Sequence, residues 1–190
     1  MEIVAICGSP RKQGNTATLI EALLDGAREA GAETTRFDPA EMSIQDCTAG
    51  DECLVSAEAS CRIDDDMQQI YAALRRADVW VLATPVYHGH VTGTLKRVID
   101  RLYAFYTTEG GEWRLGLSGR RRGAVIVVQA DAERETPRRV AEYLEGILSA
   151  YNADPVGCIA ESGLTRPGDA AANPELLARA KGLGRELASA

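Results

Sequence analysis

Short apolar runs alternate with longer amphipathic segments along this chain. The apolar runs have the length and composition of strands that are covered on both faces of a sheet. The longer segments space their apolar residues three and four positions apart, as at Leu19, Ile20 and Leu23, which is the period of a helix packed on one side. The pattern predicts strands at 2–7, 33–39, 79–85, 123–130 and 154–161. It predicts helices at 16–31, 64–77, 92–105, 137–151 and 173–188.

This order of elements predicts the fold class. Strands that alternate with helices five times form an α/β protein, here a doubly wound five-stranded parallel sheet with helices on both faces and right-handed crossovers. At 190 residues the chain is expected to be one domain, residues 1–190. Ligands of such sheets bind beyond the carboxyl ends of the strands. The loops expected to carry function are therefore 8–15, 84–91, 130–136 and the segment after residue 161.

Composition restricts the expected partners. A formal net charge of −7 and a pI near 5.0 argue against binding to nucleic acid or to a membrane surface. No apolar stretch has membrane-spanning length, and the first ten residues run into a strand without the basic residues of a secretory leader. The protein is therefore expected to be cytoplasmic. In that compartment clustered cysteines are expected to be reduced, metal-bound or redox-active rather than disulfide-bonded.

The loop after the first strand, GSPRKQGNT, has the groups that bind a phosphate monoester. Ser9, Asn15 and Thr16 offer side-chain donors, and Arg11 offers a planar cationic fork. The helix that follows points free N–H groups at the same place. The loop matches neither a Walker loop nor the G-x-G-x-x-G fingerprint. The alternative is an ordinary strand-to-helix turn that Asn15 or Thr16 caps.

The loop after the third strand, ATPVYHGHV, suits the edge of a planar heterocycle. Pro85 stiffens the chain, and Gly89 allows the backbone to approach a ligand closely. His88 and His90 are the only histidines. Because no third metal ligand is evident nearby, contact with a ring or simple exposure is expected for them. Tyr87 is expected to stack near that ring or to brace the loop.

In this order and spacing, the motifs resemble the NADPH-dependent FMN reductase and iron–sulfur flavoprotein group of the flavodoxin-like superfamily. The resemblance rests on Gly-Ser-Pro-Arg and Gly-Asn-Thr within 8–16, on Thr-Pro-Val-Tyr, Leu-Lys and Ile-Asp-Arg within 84–101, on the Asp-Asp-Asp-Met run at 64–67, and on the segment RPGDAAANPELLARAKGLG. It extends over nearly the whole chain. It implies a flavodoxin-like, FMN-binding domain.

The resemblance also implies an activity and the residues that bind its cofactor. The FMN phosphate would be held by Ser9, Arg11, Asn15 and Thr16. The isoalloxazine edge would be held, largely through backbone, by Pro85, Val86, Tyr87, His88, Gly89 and His90. Hydride transfer is the flavin's chemistry, so no catalytic acid or base is assigned.

The implied protein is an oxidoreductase that takes hydride from NAD(P)H as co-substrate and passes electrons to a quinone, a flavin or a similar acceptor. The family resemblance further implies a homodimer or a homotetramer. An electron-transfer flavoprotein that serves a protein partner is the first alternative. A homologue that binds no nucleotide is the second.

Three of the five cysteines lie within fifteen residues, at Cys47, Cys53 and Cys61. The iron–sulfur flavoproteins that this chain resembles carry four closely spaced cysteines, and by that spacing Gly50 stands where the second belongs. Glycine has no side chain to bind iron, so a cluster held by four thiolates is not expected and no metal site is assigned. Asp51 as a substitute ligand, or a labile three-thiolate cluster with one open iron, are the alternatives. Cys7 and Cys158 each fall in a predicted strand and are expected to be small core residues.

Residues 105–123 form a longer connection than is usual in a compact domain. Tyr106 and Trp113 give it apolar anchors, and it is expected to be a lid or a subunit contact. Arg120–Arg122 is expected to be a solvated charge run before the next strand. Attraction of the 2′-phosphate of NADPH is the alternative for these arginines.

Overall fold

The structure, a computed structural model, describes residues 1–55, 60–108 and 111–189. Within this part the strands are β1 (Glu2–Cys7), β2 (Glu33–Phe37), β3 (Val79–Pro85), β4 (Tyr106–Thr107), β5 (Arg114–Leu115), β6 (Arg121–Val128) and β7 (Ala153–Glu161). The helices are α1 (Asn15–Glu29), α2 (Met67–Arg76), α3 (Gly93–Arg101), α4 (Glu135–Ala150) and α5 (Pro174–Ala188).

Five strands form one parallel sheet in the order β2-β1-β3-β6-β7. The order reverses at β1, so the chain winds outward from the centre in both directions. The α/β fold with a doubly wound five-stranded parallel sheet is therefore confirmed. The carboxyl ends of β1 and β3 lie side by side, because Cys7 pairs with Ala83 in the register of these two strands.

Apolar side chains fill a layer on each face of the sheet. Helices α1 and α5 cover one face, where Ile3 and Ala5 point, and helices α2, α3 and α4 cover the other, where Val4 and Ile6 point. All four of these β1 residues are fully buried. Alternate residues of β1 thus enter opposite layers, which is why its sequence is apolar without interruption.

Two predicted helices have different bounds in the structure. Helix α2 begins at Met67, after the three aspartates rather than with them. Helix α3 ends at Arg101, and Leu102–Phe105 tighten into a 3₁₀ turn. The predicted helix at 92–105 was therefore too long. Among the described residues no helix is both long and apolar enough to cross a membrane.

The connection at 105–123 contains a small antiparallel pair, β4 with β5. Trp113 precedes β5, is 61% exposed, and contacts the rings of Tyr103 and Tyr106 with centroid distances of 5.7 and 6.3 Å. The predicted aromatic anchors thus cluster together, with one indole left facing outward. Residues 109–110 of this connection lie outside the described residues.

The arginine run lies at the amino end of β6, roughly 20 Å or more along the strand from its carboxyl end. Arg120 pairs with Asp154. Arg121 is buried and donates to the carbonyls of Ser118 and Tyr151, while Arg122 donates to carbonyls at the end of α5. The run therefore ties elements together at the edge opposite to the ligand-binding loops. For Arg121 the expectation of a solvated charge was wrong.

The two isolated cysteines differ from each other. Cys7 is fully buried in the layer beneath α1 and α5, as expected. Cys158 is exposed, so the expectation that it is a core residue was wrong. It lies on β7, an edge strand, in a shallow depression beside Arg138 and Glu145 of α4. An edge strand is covered less completely than a central one, and Pro155, which cannot donate to a strand ladder, is the signal in the sequence that β7 lies at an edge.

Candidate functional site

Four loops enclose a cavity of about 220 Å³ at the carboxyl edge of the sheet. They follow β1, β3, β6 and β7, which are the strand ends that the architecture alone indicated. Seven of the ten residues expected to bind the cofactor line this cavity: Ser9, Arg11, Asn15, Thr16, Pro85, Val86 and Tyr87. His88, Gly89 and His90 do not line it; they lie on the exposed turn beside it.

The loop after β1 is folded by Ser9 and leaves Arg11 free. The Ser9 hydroxyl is buried and accepts a hydrogen bond from the Arg11 N–H at 3.1 Å, which curls the chain into a tight turn. The Arg11 side chain is exposed, and its guanidinium has no hydrogen-bond or ion-pair partner among the described residues. The neighbouring Lys12, by contrast, is paired with Glu41 at 2.6 Å. Arg11 is thus the cation available to an anion in the cavity.

Helix α1 begins at this cavity with unpaired donors. Its N-cap is Gly14, whose position makes no side-chain capping bond, and its first turn contains no acidic residue. The N–H groups of residues 15–17 therefore have no intrahelical acceptor. The Thr16 hydroxyl lines the same cavity and has no hydrogen-bond partner within the part of the chain that the structure describes. Neither Asn15 nor Thr16 caps the helix, so the ordinary capped turn is not what the chain forms here.

Asn15 does something that its position in the loop did not suggest. Its side-chain N–H₂ donates to the carbonyls of Leu164 and Arg166, at 3.2 and 3.0 Å, and its carbonyl oxygen accepts from the N–H of Ala170 at 3.0 Å. Both amide hydrogens are consequently engaged. The predicted role of Asn15 in holding a phosphate therefore has no free side-chain hydrogen to use in this structure, whereas its backbone N–H has no intrahelical acceptor. The side chain instead fixes the segment after β7 against the start of α1.

Direct hydrogen bonds hold the two principal loops together. The Gly8 N–H donates to the Ala83 carbonyl, and the Thr92 hydroxyl donates to the Gly8 carbonyl, both at 2.7 Å. The same Thr92 oxygen accepts from the Leu95 N–H and so caps α3. A Cβ at position 8 would lie 2.7 Å from the Cβ of Leu95, so only glycine allows this approach. The loops after β1 and β3 therefore form one rigid unit.

The loop after β3 leaves the cavity through a tight turn. Tyr87 and His90 exchange two backbone hydrogen bonds, at 2.9 and 3.0 Å, around His88 and Gly89. Both central residues have positive φ angles, 48° and 75°, which is the pattern of a type I′ turn. Gly89 has the positive φ angle that this turn requires, and a Cβ there would meet nothing within 4 Å. The ring of His90 packs on Tyr143 of α4, with centroids 4.7 Å apart.

The order of strands indicated the remaining loops of the cavity but not which of their residues line it. The structure adds Gln129 and Ala130 after β6, and Leu164, Thr165 and Pro167 after β7. Backbone bonds join these two loops, because the Leu164 N–H donates to the Gln129 carbonyl at 3.0 Å. Their position at the carboxyl ends of strands could have identified these residues as lining a site. Their side chains could not, since none is ionisable.

A second cavity, of about 490 Å³, collects the clustered cysteines. We call it the cysteine cavity; its lining includes Cys47, Cys53, Cys61, Gly50 and Arg97. Cys53 and Cys61 also pack against the apolar layer beneath α2 and α3. Burial raises the pKa of the Cys53 thiol, and the nearby thiols of Cys61 and Cys47 act in the same direction.

A buried ion pair joins the two ends of residues 45–65, the segment that carries the clustered cysteines. Arg101 and Asp65, whose side chains are 1% and 3% exposed, form a salt bridge at 2.8 Å. Arg101 also donates to the Gln45 carbonyl, and Asp65 accepts from the N–H groups of Gln45 and Met67. Burial by itself would raise the pKa of Asp65, but the hydrogen bonds from Arg101, Gln45 and Met67 outweigh it and hold that pKa below its usual range. The pair thus fixes both ends of residues 45–65.

Comparison with known proteins relates this chain to flavoproteins. An iron–sulfur flavoprotein of Archaeoglobus fulgidus is 32% identical to this chain over 190 residues, which are 100% of this chain and 80% of that protein. An iron–sulfur flavoprotein of Methanocaldococcus jannaschii is 28% identical, over 99% of this chain and 96% of its own length.

Solved structures share the fold. The NAD(P)H:quinone oxidoreductase from Methanothermobacter marburgensis superposes with a TM-score of 0.75 at 20% identity, covering 98% of each chain. A family model described as NADPH-dependent FMN reductase matches residues 1–159. Because that match takes in β1 to β6, most of β7 and the loops after β1, β3 and β6, the chain belongs to the NADPH-dependent FMN reductase family.

Proposed function

We propose that the protein is an FMN-dependent oxidoreductase that takes hydride from NAD(P)H and passes the electrons to a quinone, a flavin or a similar small acceptor. The observation that carries the proposal is the cavity at the carboxyl edge, where a free guanidinium, a free hydroxyl and a helix N-terminus converge. Membership of the NADPH-dependent FMN reductase family supports the choice of cofactor and reductant.

The donor set fits the phosphate end of FMN. Arg11 offers a charge-assisted pair of hydrogen bonds, Thr16 offers an unused hydroxyl, and the first turn of α1 offers unpaired N–H groups. No acidic residue lies in that turn to repel the phosphate. Within this proposal Ser9 shapes the loop through its hydrogen bond with Arg11, and Asn15 contributes through its backbone N–H.

The flavin ring would extend beyond the enclosed volume. A cavity of 220 Å³ is smaller than the roughly 300–1,000 Å³ of common ligand pockets, so it suits a phosphate and part of its chain. Pro85, Val86 and Tyr87 line the side on which a ring would continue, and Tyr87 is 44% exposed. Bound FMN would supply the hydride-accepting chemistry, and these residues would orient it. The exposed turn of His88, Gly89 and His90 is proposed to border the ring.

Reduction by NADPH tests the proposal. FMN-loaded protein mixed with NADPH under nitrogen should lose its yellow colour, and a quinone added afterwards should restore it. The matched control is free FMN at the same concentration without protein, which should bleach far more slowly. Protein that dithionite bleaches but neither NADPH nor NADH bleaches would refute the enzyme and favour the electron carrier that serves a protein partner. Protein that takes up no FMN would refute both.

The assembly and location are proposed on separate observations. A homodimer or homotetramer is supported by the exposed indole of Trp113, which extends the aromatic cluster with Tyr103 and Tyr106. Cytoplasmic location is supported by the cysteines, all five of which are described and unpaired, as is usual in a reducing compartment. Analytical ultracentrifugation of the native protein and of Trp113→Ser tests the assembly; a monomeric native protein would refute it.

A further inference from the structure

The cysteine cavity raises a question that the proposed function does not answer. Relatives of this chain are iron–sulfur flavoproteins, and a [4Fe–4S] cluster is held by four cysteine thiolates. The cavity has the size to enclose a cofactor, at about 490 Å³, and three thiols line it. Whether the chain can provide a fourth thiolate decides whether such a cluster fits.

Neither remaining cysteine can reach the cysteine cavity. Cys7 is fully buried in the layer beneath α1 and α5, whereas Cys53 and Cys61 pack against the layer on the opposite face of the sheet. Cys158 lies on the edge strand β7 in its own depression beside α4, and that depression shares no lining residue with the cysteine cavity. The five cysteines of the chain thus offer three ligands to one place and no more.

A single metal ion is not an alternative occupant on this geometry. Within residues 1–55, 60–108 and 111–189, no group of three or more histidine, cysteine, aspartate or glutamate side chains is arranged to hold one. The chain has no cysteine or histidine in the remaining segments. The described side chains thus form no single-ion site, and the cavity is short of one thiolate for a cluster held by four cysteines.

Gly50 lies in the cavity wall with room for a side chain. A Cβ at this position would meet only the Thr48 hydroxyl, at an ordinary contact distance of 3.8 Å. The φ angle of Gly50 is not in the left-handed region, so an L-residue is accommodated there without strain. The left-handed residues of this turn are its neighbours Ala49 and Asp51, with φ of 51° and 54°. The backbone thus does not require glycine at position 50.

We infer that the cysteine cavity is a cluster site with three of its four thiolate positions filled, that Gly50 marks the vacant position, and that the protein carries no stoichiometric iron–sulfur cluster. This inference does not depend on the proposed FMN site. It means that this chain lacks the iron–sulfur cluster after which its relatives are named. It also assigns to one residue the difference between a cluster-free and a cluster-binding cavity.

Metal content after anaerobic reconstitution tests the inference. Native protein, Gly50→Cys, Gly50→Ser, and Gly50→Cys combined with Cys53→Ser are each incubated with ferrous iron and sulfide under nitrogen and then desalted. Gly50→Cys should approach about four iron and four acid-labile sulfide per chain, with broad absorbance beyond the flavin bands. The native protein, the serine variant and the double variant should each retain well under about one iron per chain, because each lacks one of the four thiolates.

Two results would overturn the inference. Native protein that is purified anaerobically, or desalted after reconstitution, with near-stoichiometric iron would show that three cysteines suffice, alone or with the Asp51 carboxylate that lines the same cavity. A Gly50→Cys variant that binds FMN like the native protein but holds no more iron than Gly50→Ser would show that position 50 is not the vacant one.

A chemical complementation keeps the test decisive if Gly50→Cys does not fold. A small free thiol added to native protein during reconstitution should take the vacant position, and the iron gained should be lost when the thiol is removed by desalting. No gain of iron with the thiol would contradict the three-thiolate site. FMN content, measured on every sample, reports separately on the proposed function: native protein without FMN affinity refutes that function and leaves the iron result standing.

Discussion

Replacing Asn15 should weaken FMN binding although its side chain has no free hydrogen to donate to the cofactor. Asn15→Ala removes the three hydrogen bonds that fix the 164–170 segment to α1. That segment contributes Leu164, Thr165 and Pro167 to the cavity wall. In the variant, cofactor binding must order a segment that the native protein holds in place beforehand.

The expected losses of stability and of FMN affinity follow from these three hydrogen bonds. Each neutral hydrogen bond contributes about 0.5–1.5 kcal/mol net, and the bond to the exposed Arg166 carbonyl lies at the low end because water replaces it. The free energy of unfolding should therefore fall by about 2 kcal/mol, which lowers the melting temperature by about 4–8 °C for a domain of this size. Ordering the loosened segment should reduce FMN affinity about tenfold, or about 1.4 kcal/mol.

Two further variants sharpen this test. Asn15→Asp keeps the size of the side chain but sets a carboxylate against the carbonyls of Leu164 and Arg166, and it should lose more stability than the alanine variant. Asn173→Ala is the matched control. Its side chain caps α5 by accepting from the Leu176 N–H at 3.0 Å, and its loss should cost about 1 kcal/mol while FMN affinity stays unchanged.

Thermal unfolding of the cofactor-free proteins and titration with FMN and riboflavin provide the readouts. Asn15→Ala should bind both ligands more weakly, because the loosened wall affects the whole cavity. A variant with native stability that loses affinity for FMN alone would show that the Asn15 amide contacts the phosphate directly. That result would refute the reasoning from the three hydrogen bonds.

Two more predictions concern residues that hold the segments around the two cavities in place. Asp65→Asn leaves Arg101 buried without its counter-charge and should lower the free energy of unfolding by about 3–5 kcal/mol in urea denaturation at pH 7. Because the pKa of Asp65 is held below its usual value of about 3.9, the native pair stabilises the fold above that value. This contribution is lost as the pH falls through the lowered pKa, so the difference between native protein and variant should narrow below about pH 4; a constant difference would contradict the assignment. Gly8→Ala places a methyl group 2.7 Å from the Leu95 Cβ and should cost about 1–3 kcal/mol and weaken FMN binding. Gly50→Ala, whose methyl group would meet only the Thr48 hydroxyl at an ordinary contact distance, should leave FMN affinity unchanged.

The fold was predictable because local patterns encode it. The uninterrupted apolar runs of β1 and β3 and the helical spacing in α1 are properties of adjacent residues, and the order of elements then determines which strand ends meet. The position of the cavity followed from that order alone. The exposure of Cys158 was missed although Pro155 in the same strand, which cannot donate to a strand ladder, indicates an edge position.

The details of the site were less predictable because long-range partners decide them. Asn15 has the character of a phosphate ligand within its own loop, but its partners lie about 150 residues later in the chain. Asp65 belongs to a run of acids that suits a helix N-terminus, yet it pairs with Arg101, 36 residues away. In both cases a polar side chain that local sequence assigns to a terminus or a ligand is used to hold two segments together.

The central claim is that the cavity at the carboxyl edge binds FMN through its phosphate. Titration of native protein and Arg11→Ala with FMN and with riboflavin, which lacks the phosphate, tests it most directly. The Arg11 side chain is exposed and has no partner among the described residues, so its truncation should leave the fold unchanged. Losing a charge-assisted contact of about 1.5–3 kcal/mol should weaken FMN binding about tenfold or more and leave riboflavin binding unaltered. Native protein that binds riboflavin as tightly as FMN, or an Arg11→Ala variant with native FMN affinity, would contradict the claim.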